Sequence, residues 1–194
     1  MKRILCALFV VLMVVSAAVG QEAKAPAKLK AALLVIDIQN AYLPYMSDQD
    51  KKSGMENINA YINLFRLYRY PVIRVYHTDP GYGPKPGTKE FEYPESTAVK
   101  ADDPMVVKNF GNAFKKTDLD KILKEKGVNT LFLCGLSSVG CVLATYHGAL
   151  DLDYNVFMIS GALIGPEASW TKAVQEFCQT VNYGTLKLLL DIAK

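Results

Sequence analysis

The stretch LFLCGLSSVGCVLATYHGA, residues 131–149, joins two patterns through one short turn. Its first half is an apolar and aromatic run that closes on Cys134-Gly135, the signature of a buried strand. From Cys141 onward the apolar residues recur at helical spacing. A strand passing through a tight turn into a helix is half of a βαβ unit. The rest of the chain continues the alternation of strand and helix patterns, with no internal repeat.

Residues 30–37, KAALLVID, form a short continuous apolar run that predicts a strand buried on both faces. Within residues 55–70, Ile58, Ile62, Phe65 and Leu67 are expected on a helical stripe that Pro71 ends. Further strands are expected at PVIRVYH (71–77), PMVVK (104–108) and NVFMISG (155–161). TDLDKILKEKG (117–127) predicts a helix with a Thr117 cap, an acidic first turn, a basic last turn and a glycine stop. A helix over 168–180, then a last strand and a terminal helix within 181–194, complete the order. Strands alternating with helices predict a three-layer α/β/α fold. Its sheet would be mostly parallel, of five or six strands, with helices on both faces. Residues 78–94, TDPGYGPKPGTKEFEYP, are rich in Gly and Pro and long for a connection, which suggests a binding loop.

The N-terminus carries a separate instruction. Residues 1–20, MKRILCALFVVLMVVSAAVG, open with Lys2 and Arg3, continue as an apolar run from Ile4 to Val15, and end on small residues. That is the layout of a signal peptide, and its run is shorter than the ~20 residues a bilayer span needs. The expectation is an exported protein, periplasmic or secreted, with no stable membrane insertion after cleavage. A polar leader would occupy 21–30 and one domain 31–194. The net charge of +3 includes Lys2 and Arg3, so the remainder is close to neutral and offers no basic stripe for nucleic acid. Cys134, Cys141 and Cys178 remain, an odd number that leaves at least one thiol unpaired.

In a parallel sheet, ligands sit beyond the carboxyl ends of the strands. Three such ends carry useful chemistry: Asp37 after the first strand, Lys108 at the end of the third, and Cys141 after the fourth. Asp37 could take the thiol proton of Cys141 and later activate water. A helix N-terminus and a nearby ammonium would lower the Cys141 pKa and favour thiolate. Backbone N–H groups of the turn LSSVGC could hold an oxyanion. Cys134, inside the apolar run, is assigned to the core.

Three blocks carry a resemblance to the isochorismatase-like cysteine hydrolases across nearly all of the chain after the leader. They are ALLVIDIQNAY (32–42), VVKNFGNAFKKTDLDKIL (106–123) and LFLCGLSSVGCVLATYHGAL (131–150). Within them the spacing of Lys108, Ala113-Phe114, Thr117 and Leu119 is specific, as is Cys141-Val142 followed by Thr145. The resemblance implies a triad of Asp37, Lys108 and Cys141. It also implies a cis peptide between Leu136 and Ser137, with the Ser137 and Cys141 N–H groups as the oxyanion hole.

Members that cleave isochorismate commonly have glycine where this chain has Cys141, so the thiol favours attack on an amide, carbamoyl or ureido carbonyl. Metal-dependent nicotinamidases of the family carry Asp-x-His-x-x-x-His after the second strand. Residues 76–87, YHTDPGYGPKPG, hold His77 and Asp79 but no second histidine, so neither metal nor other cofactor is expected. Gln39, Tyr42, His77 and Phe110 are expected around the substrate, a small molecule, and Phe114 either there or in the core. His147 is expected to pack or face solvent. Self-association is common among relatives and is carried as an expectation. Two departures stand out: Ser160-Gly161-Ala162 where relatives have Asp-Ala, and the export signal. They favour the alternative reading, an inactive secreted binding protein on the same fold.

Overall fold

The computed structural model describes residues 28–194; the expected signal peptide and leader residues 21–27 lie outside the described residues. The strands are β1 (Ala31–Ile36), β2 (Val72–His77), β3 (Met105–Lys108), β4 (Thr130–Leu136), β5 (Asn155–Ile164) and β6 (Thr180–Val181). The helices are α1 (Asp48–Leu67), α2 (Leu119–Glu125), α3 (Leu143–Leu150), α4 (Ala168–Phe177) and α5 (Tyr183–Ile192). All neighbouring strands pair in parallel, in the order β3-β2-β1-β4-β5-β6. The chain builds outward from β1 in one direction, then returns to its other side at β4. The carboxyl ends of β1 and β4 therefore flank the point where strand order reverses, where such sheets open a crevice.

The continuous apolar run of β1 is explained by its central place, since every residue of it is buried. Ala31, Leu33 and Val35 point to the layer of α1 and α5, against Ile58, Ile62, Phe65, Leu186 and Leu190. Ala32, Leu34 and Ile36 point the other way, among Leu119, Leu123, Ala149 and Val174 of α2, α3 and α4. Each fully buried Leu, Ile or Phe contributes roughly 1.5–3 kcal/mol relative to exposure.

Several elements depart from expectation. α1 begins earlier than the stripe suggests: the Asp50 N–H donates to the Ser47 hydroxyl at 3.4 Å, and Asp48 and Asp50 lie in the first turn. Ile58, Ile62 and Phe65 are buried, but Leu67 is 71% exposed. Two residues past Phe65, a helix has turned about 200°, so Leu67 falls on the far side. Thr117 is not the residue at the start of α2. Asp118 stands there, and the Thr117 hydroxyl instead accepts from the Leu119 N–H at 3.3 Å and donates to Ala113 O.

The β2–β3 connection has no helix, and its Gly/Pro-rich segment is only partly a surface loop. Tyr76 of β2 stacks on Phe91 and Tyr93, centroids 4.9 and 4.2 Å away. The Tyr93 hydroxyl lies 2.8 and 2.6 Å from the carbonyl oxygens of Val35 and Val75. The second half of this connection thus belongs to the core, while Tyr82 in its first half is fully exposed.

β4 and β1 meet closely near their carboxyl ends. Gly135 pairs with Ile36 at φ +112, and a Cβ there would lie 2.1 Å from the Ile36 carbonyl oxygen. Both the left-handed backbone and the backbone clash oppose any side chain. Gly135→Ala is expected to cost about 3 kcal/mol or more, read as a drop in the urea midpoint at unchanged m-value.

Candidate active site

Asp37 follows β1 directly, and its N–H donates to Val75 O of β2 at 2.8 Å. Its backbone has φ +52, a conformation that Asp adopts more readily than bulky residues. His77 and Lys108, the last residues of β2 and β3, are register partners. Three adjacent strand ends thus align an acid, an imidazole and an amine. The Lys108 side chain reaches past β2, so that its Nζ lies 2.6 Å from Asp37 Oδ2 and 3.1 Å from His77 Nδ1. The ammonium and the carboxylate are both withdrawn from water, at 0% and 2% side-chain exposure. An ammonium only donates, so His77 Nδ1 accepts and the imidazole proton resides on Nε2. Burial, aided by Lys108, holds the His77 pKa down to about 4, which keeps the ring neutral at physiological pH.

Cys141 arrives from β4. The Leu136–Ser137 peptide is cis, and the helical turn Ser138–Val142 is interrupted at Gly140. The Gly140 and Val142 N–H groups, on either side of Cys141, both donate to Ser137 O. Asp37, His77 and Cys141 each place one side-chain donor atom within 4.8 Å of the others. Asp37 Oδ2 is taken by Lys108, whereas Oδ1 is buried without a hydrogen-bond partner. An unpartnered buried acceptor ordinarily costs about 1–3 kcal/mol.

The electrostatics correct one expectation. The Cys141 thiol is not depressed. Burial, followed by the Asp37 charge, pushes it up to about 11, and the opposing pull of Lys108 does not compensate. Burial likewise raises Asp37 to about 6, against the pull of Lys108 and the thiol. At neutral pH the resting site is therefore a thiol facing a carboxylate, with an ammonium behind the carboxylate.

The surrounding residues sort by what they touch. Gln39 is fully buried and spends both ends of its amide on His77, accepting from its N–H at 2.7 Å and donating to its carbonyl at 3.0 Å. It braces the end of β2 instead of facing a ligand, contrary to its expected place beside the substrate. Tyr42 is partly exposed, its ring edge-on to His77 at 6.0 Å. Burial and then the Asp37 charge push its phenol up to about 12. Phe110 carries the Lys115 and Lys116 ammonium groups over its ring, at 4.3 and 5.5 Å. Phe114 stacks on Tyr154 at 5.9 Å and packs with the core on the α2–α4 side. His147 is exposed beside Tyr146, Cys134 is buried, and the three described cysteines are free thiols.

Two supports were hidden in the sequence. Thr145 of α3 accepts from the Ala113 N–H at 3.0 Å, tying the segment after Lys108 to the helix after Cys141. Its spacing from Cys141 was visible; its reason is spatial. Ser138, Thr171 and Asp50 form a second link, which no motif marks. Ser160 and Gly161 lie in a register shift of β5 against β4, where Asn57 of α1 donates to Gly161 O at 2.8 Å.

The Isochorismatase domain family model matches residues 31–182. The chain belongs to the isochorismatase family. It is 34% identical over 131 residues to the uncharacterized isochorismatase family protein YddQ of Bacillus subtilis, covering 65% of this chain and 73% of that protein. Ureidoacrylate amidohydrolase RutB of Rhizobium rhizogenes is 24% identical over 111 residues, half of this chain and 45% of that protein. The crystal structure of N-carbamoylsarcosine amidase from Thermoplasma acidophilum superposes with a TM-score of 0.69. It spans 79% of this chain and 95% of that one at 24% identity, which marks a shared fold. The three-layer α/β/α fold of the isochorismatase family, with its six-stranded parallel sheet, is thus established for this chain.

Among the described residues, Asp37, His77 and Cys141 are also the group compact enough to approach a metal ion. Lys108 already presses its ammonium against two of them. A divalent cation there would meet that charge at close range, so the donor set suits the lysine better than a metal. No helix among the described residues is long and apolar enough to cross a membrane.

Proposed function

We propose that this isochorismatase-family hydrolase is an exported cysteine amidohydrolase that cleaves a C–N bond of a small amide, carbamoyl or ureido compound. The observation that carries the reading is the Asp37 carboxylate, one oxygen held by Lys108 and the other unpartnered, beside the Cys141 thiol. The activities for which RutB and N-carbamoylsarcosine amidase are named support the substrate class.

In this reading Asp37 takes the proton of the Cys141 thiol as the sulfur attacks the carbonyl carbon. Negative charge developing on the carbonyl oxygen is met by the Ser137 and Cys141 N–H groups. The protonated Asp37 then returns its proton to the departing nitrogen, leaving a thioester on Cys141. Asp37 next removes a proton from water, which attacks the thioester and frees the acid and the thiol. Lys108 keeps Asp37 ionised and aimed, and neutral His77 accepts from Lys108 without competing for the carboxylate. Tyr42 and Phe110 would line the approach.

A resting thiol also fits export. Oxidation proceeds through thiolate, and a thiol raised to about 11 is almost wholly protonated at neutral pH. Residues 1–20 would direct the chain to the periplasm or the medium.

The test is a panel of carbamoyl, ureido and simple amide compounds, read by ammonia or amine release. Intact mass of quenched protein would report the acyl adduct. Expected are turnover by the wild type, an adduct on Cys141, and loss of both in Cys141→Ala. A complete panel with neither product nor adduct would favour the binding protein instead. The pH profile is expected to carry an acid limb. Below the Asp37 pKa of about 6 the base is protonated, so kcat/KM falls about tenfold per pH unit. A limb near pH 4 would contradict a base titrating at about 6 and so overturn the assignment to Asp37 in its buried setting.

A further inference from the structure

A buried chain of hydroxyls leads away from the turn that carries Cys141. The Ser138 hydroxyl, with no exposure, lies 2.9 Å from that of Thr171 on α4. Thr171 Oγ1 lies 2.6 Å from Asp50 Oδ2 in the first turn of α1. The same carboxylate oxygen accepts the Gly165 N–H at 3.1 Å, and Gly165 O accepts the Ser47 N–H at 2.9 Å. A carboxylate only accepts, so the single Thr171 proton goes to Asp50 and Ser138 donates to Thr171. The direction of the chain is fixed from the turn to α1. Its space is fixed too, since a Cβ on Gly165 would lie 2.3 Å from Thr171 Oγ1 and 2.5 Å from Ser138 Oγ.

This network touches none of the triad side chains, yet it clamps the residue that follows Ser137. We propose that Ser138, Thr171 and Asp50 are positioning residues, a relay that holds the turn so that the Ser137 and Cys141 N–H groups face the substrate carbonyl oxygen. The proposal rests on the hydrolase reading above. Three elements meet in the relay, which makes it a rigid support of the kind an oxyanion site needs.

Two reactions of the same thiol separate this role from that of the triad. Iodoacetamide is attacked at a saturated carbon: an S–C bond forms, iodide leaves, and no oxyanion develops. p-Nitrophenyl acetate is attacked at its carbonyl: a tetrahedral oxyanion forms, p-nitrophenolate leaves, and water then cleaves the S-acetyl group to acetate. Thr171→Val should lower kcat for the ester by about 30-fold or more, with KM and the alkylation rate of Cys141 changed by less than about threefold. Thr171→Ser should restore kcat, and Asp50→Asn, which keeps one acceptor oxygen, should lose far less than Asp50→Ala. Thermal melting checks folding, and Ser138→Ala gives the same contrast should Thr171→Val fail to fold.

Equal losses in both reactions would place the relay's effect on the triad and overturn the proposal, as would unchanged kcat in Thr171→Val. Wild-type protein that alkylates at Cys141 but shows no Cys141-dependent ester turnover would remove the hydrolase reading itself, and the relay's role with it.

Discussion

Asp37→Asn is expected to slow turnover by about 10²- to 10⁴-fold while making Cys141 easier to ionise. The two effects have opposite signs because Asp37 acts on the thiol in two ways. In the proposed mechanism it is the base that accepts the proton during attack. As a fixed charge it is, after burial, the largest influence raising the thiol to about 11, against the pull of Lys108. Asparagine abolishes the base and leaves the ammonium unopposed, so the thiol pKa falls. At pH 7 the variant should therefore react faster with iodoacetamide and hydrolyse its amide more slowly. Mass-spectrometric alkylation rates across pH, measured beside turnover, give both numbers. A variant that slowed in both assays would mean that Asp37 mainly orders the site.

The placement of Asp37, Lys108 and Cys141 is legible because an α/β alternation makes strand ends predictable, and all three stand at or just past one. Their ionisation is not. The sequence shows a helix start and a lysine, both of which lower a thiol pKa, but desolvation depends on everything packed around the sulfur. Here desolvation wins. Gln39 departs from expectation for a related reason. A polar residue two positions past Asp37 looks available to a ligand until the fold reveals that both ends of its amide bind the His77 backbone. The segment 78–94 misled through composition: Gly and Pro signal a turn-rich path, yet Phe91 and Tyr93 within it complete an aromatic stack on Tyr76. The spacing of Thr145 from Cys141 shows the converse. The pattern could be read, and only the contact with the Ala113 N–H says why that position bears a hydroxyl. Asp50 and Thr171 are far apart in sequence and belong to no motif, so their meeting at Ser138 is purely a product of the fold.

Lys108→Met is the substitution expected to damage both stability and chemistry. Methionine matches the lysine stem but leaves Asp37 buried without its ammonium, and breaking a buried pair from one side costs about 3–5 kcal/mol. The cost should depend on pH in a definite direction. In the wild type the folded Asp37 pKa of about 6 lies above the ~3.9 of an unfolded Asp. The folded state binds that proton more tightly, so the stabilisation is complete at low pH and is lost as pH rises through about 6. Lys108 is the main influence holding that value down, and removing it extends the loss to higher pH. Urea unfolding should thus show a small gap between variant and wild type at pH 5 and a wide one at pH 8. Turnover should follow the same titration, with the acid limb moved above 6, so that the deficit is larger at pH 7 than at pH 9. A stability gap equal at pH 5 and pH 8 would mean that Lys108 serves by packing alone. Asp37 would then not be the group whose ionisation it controls, and the base of the reaction would have to be sought elsewhere.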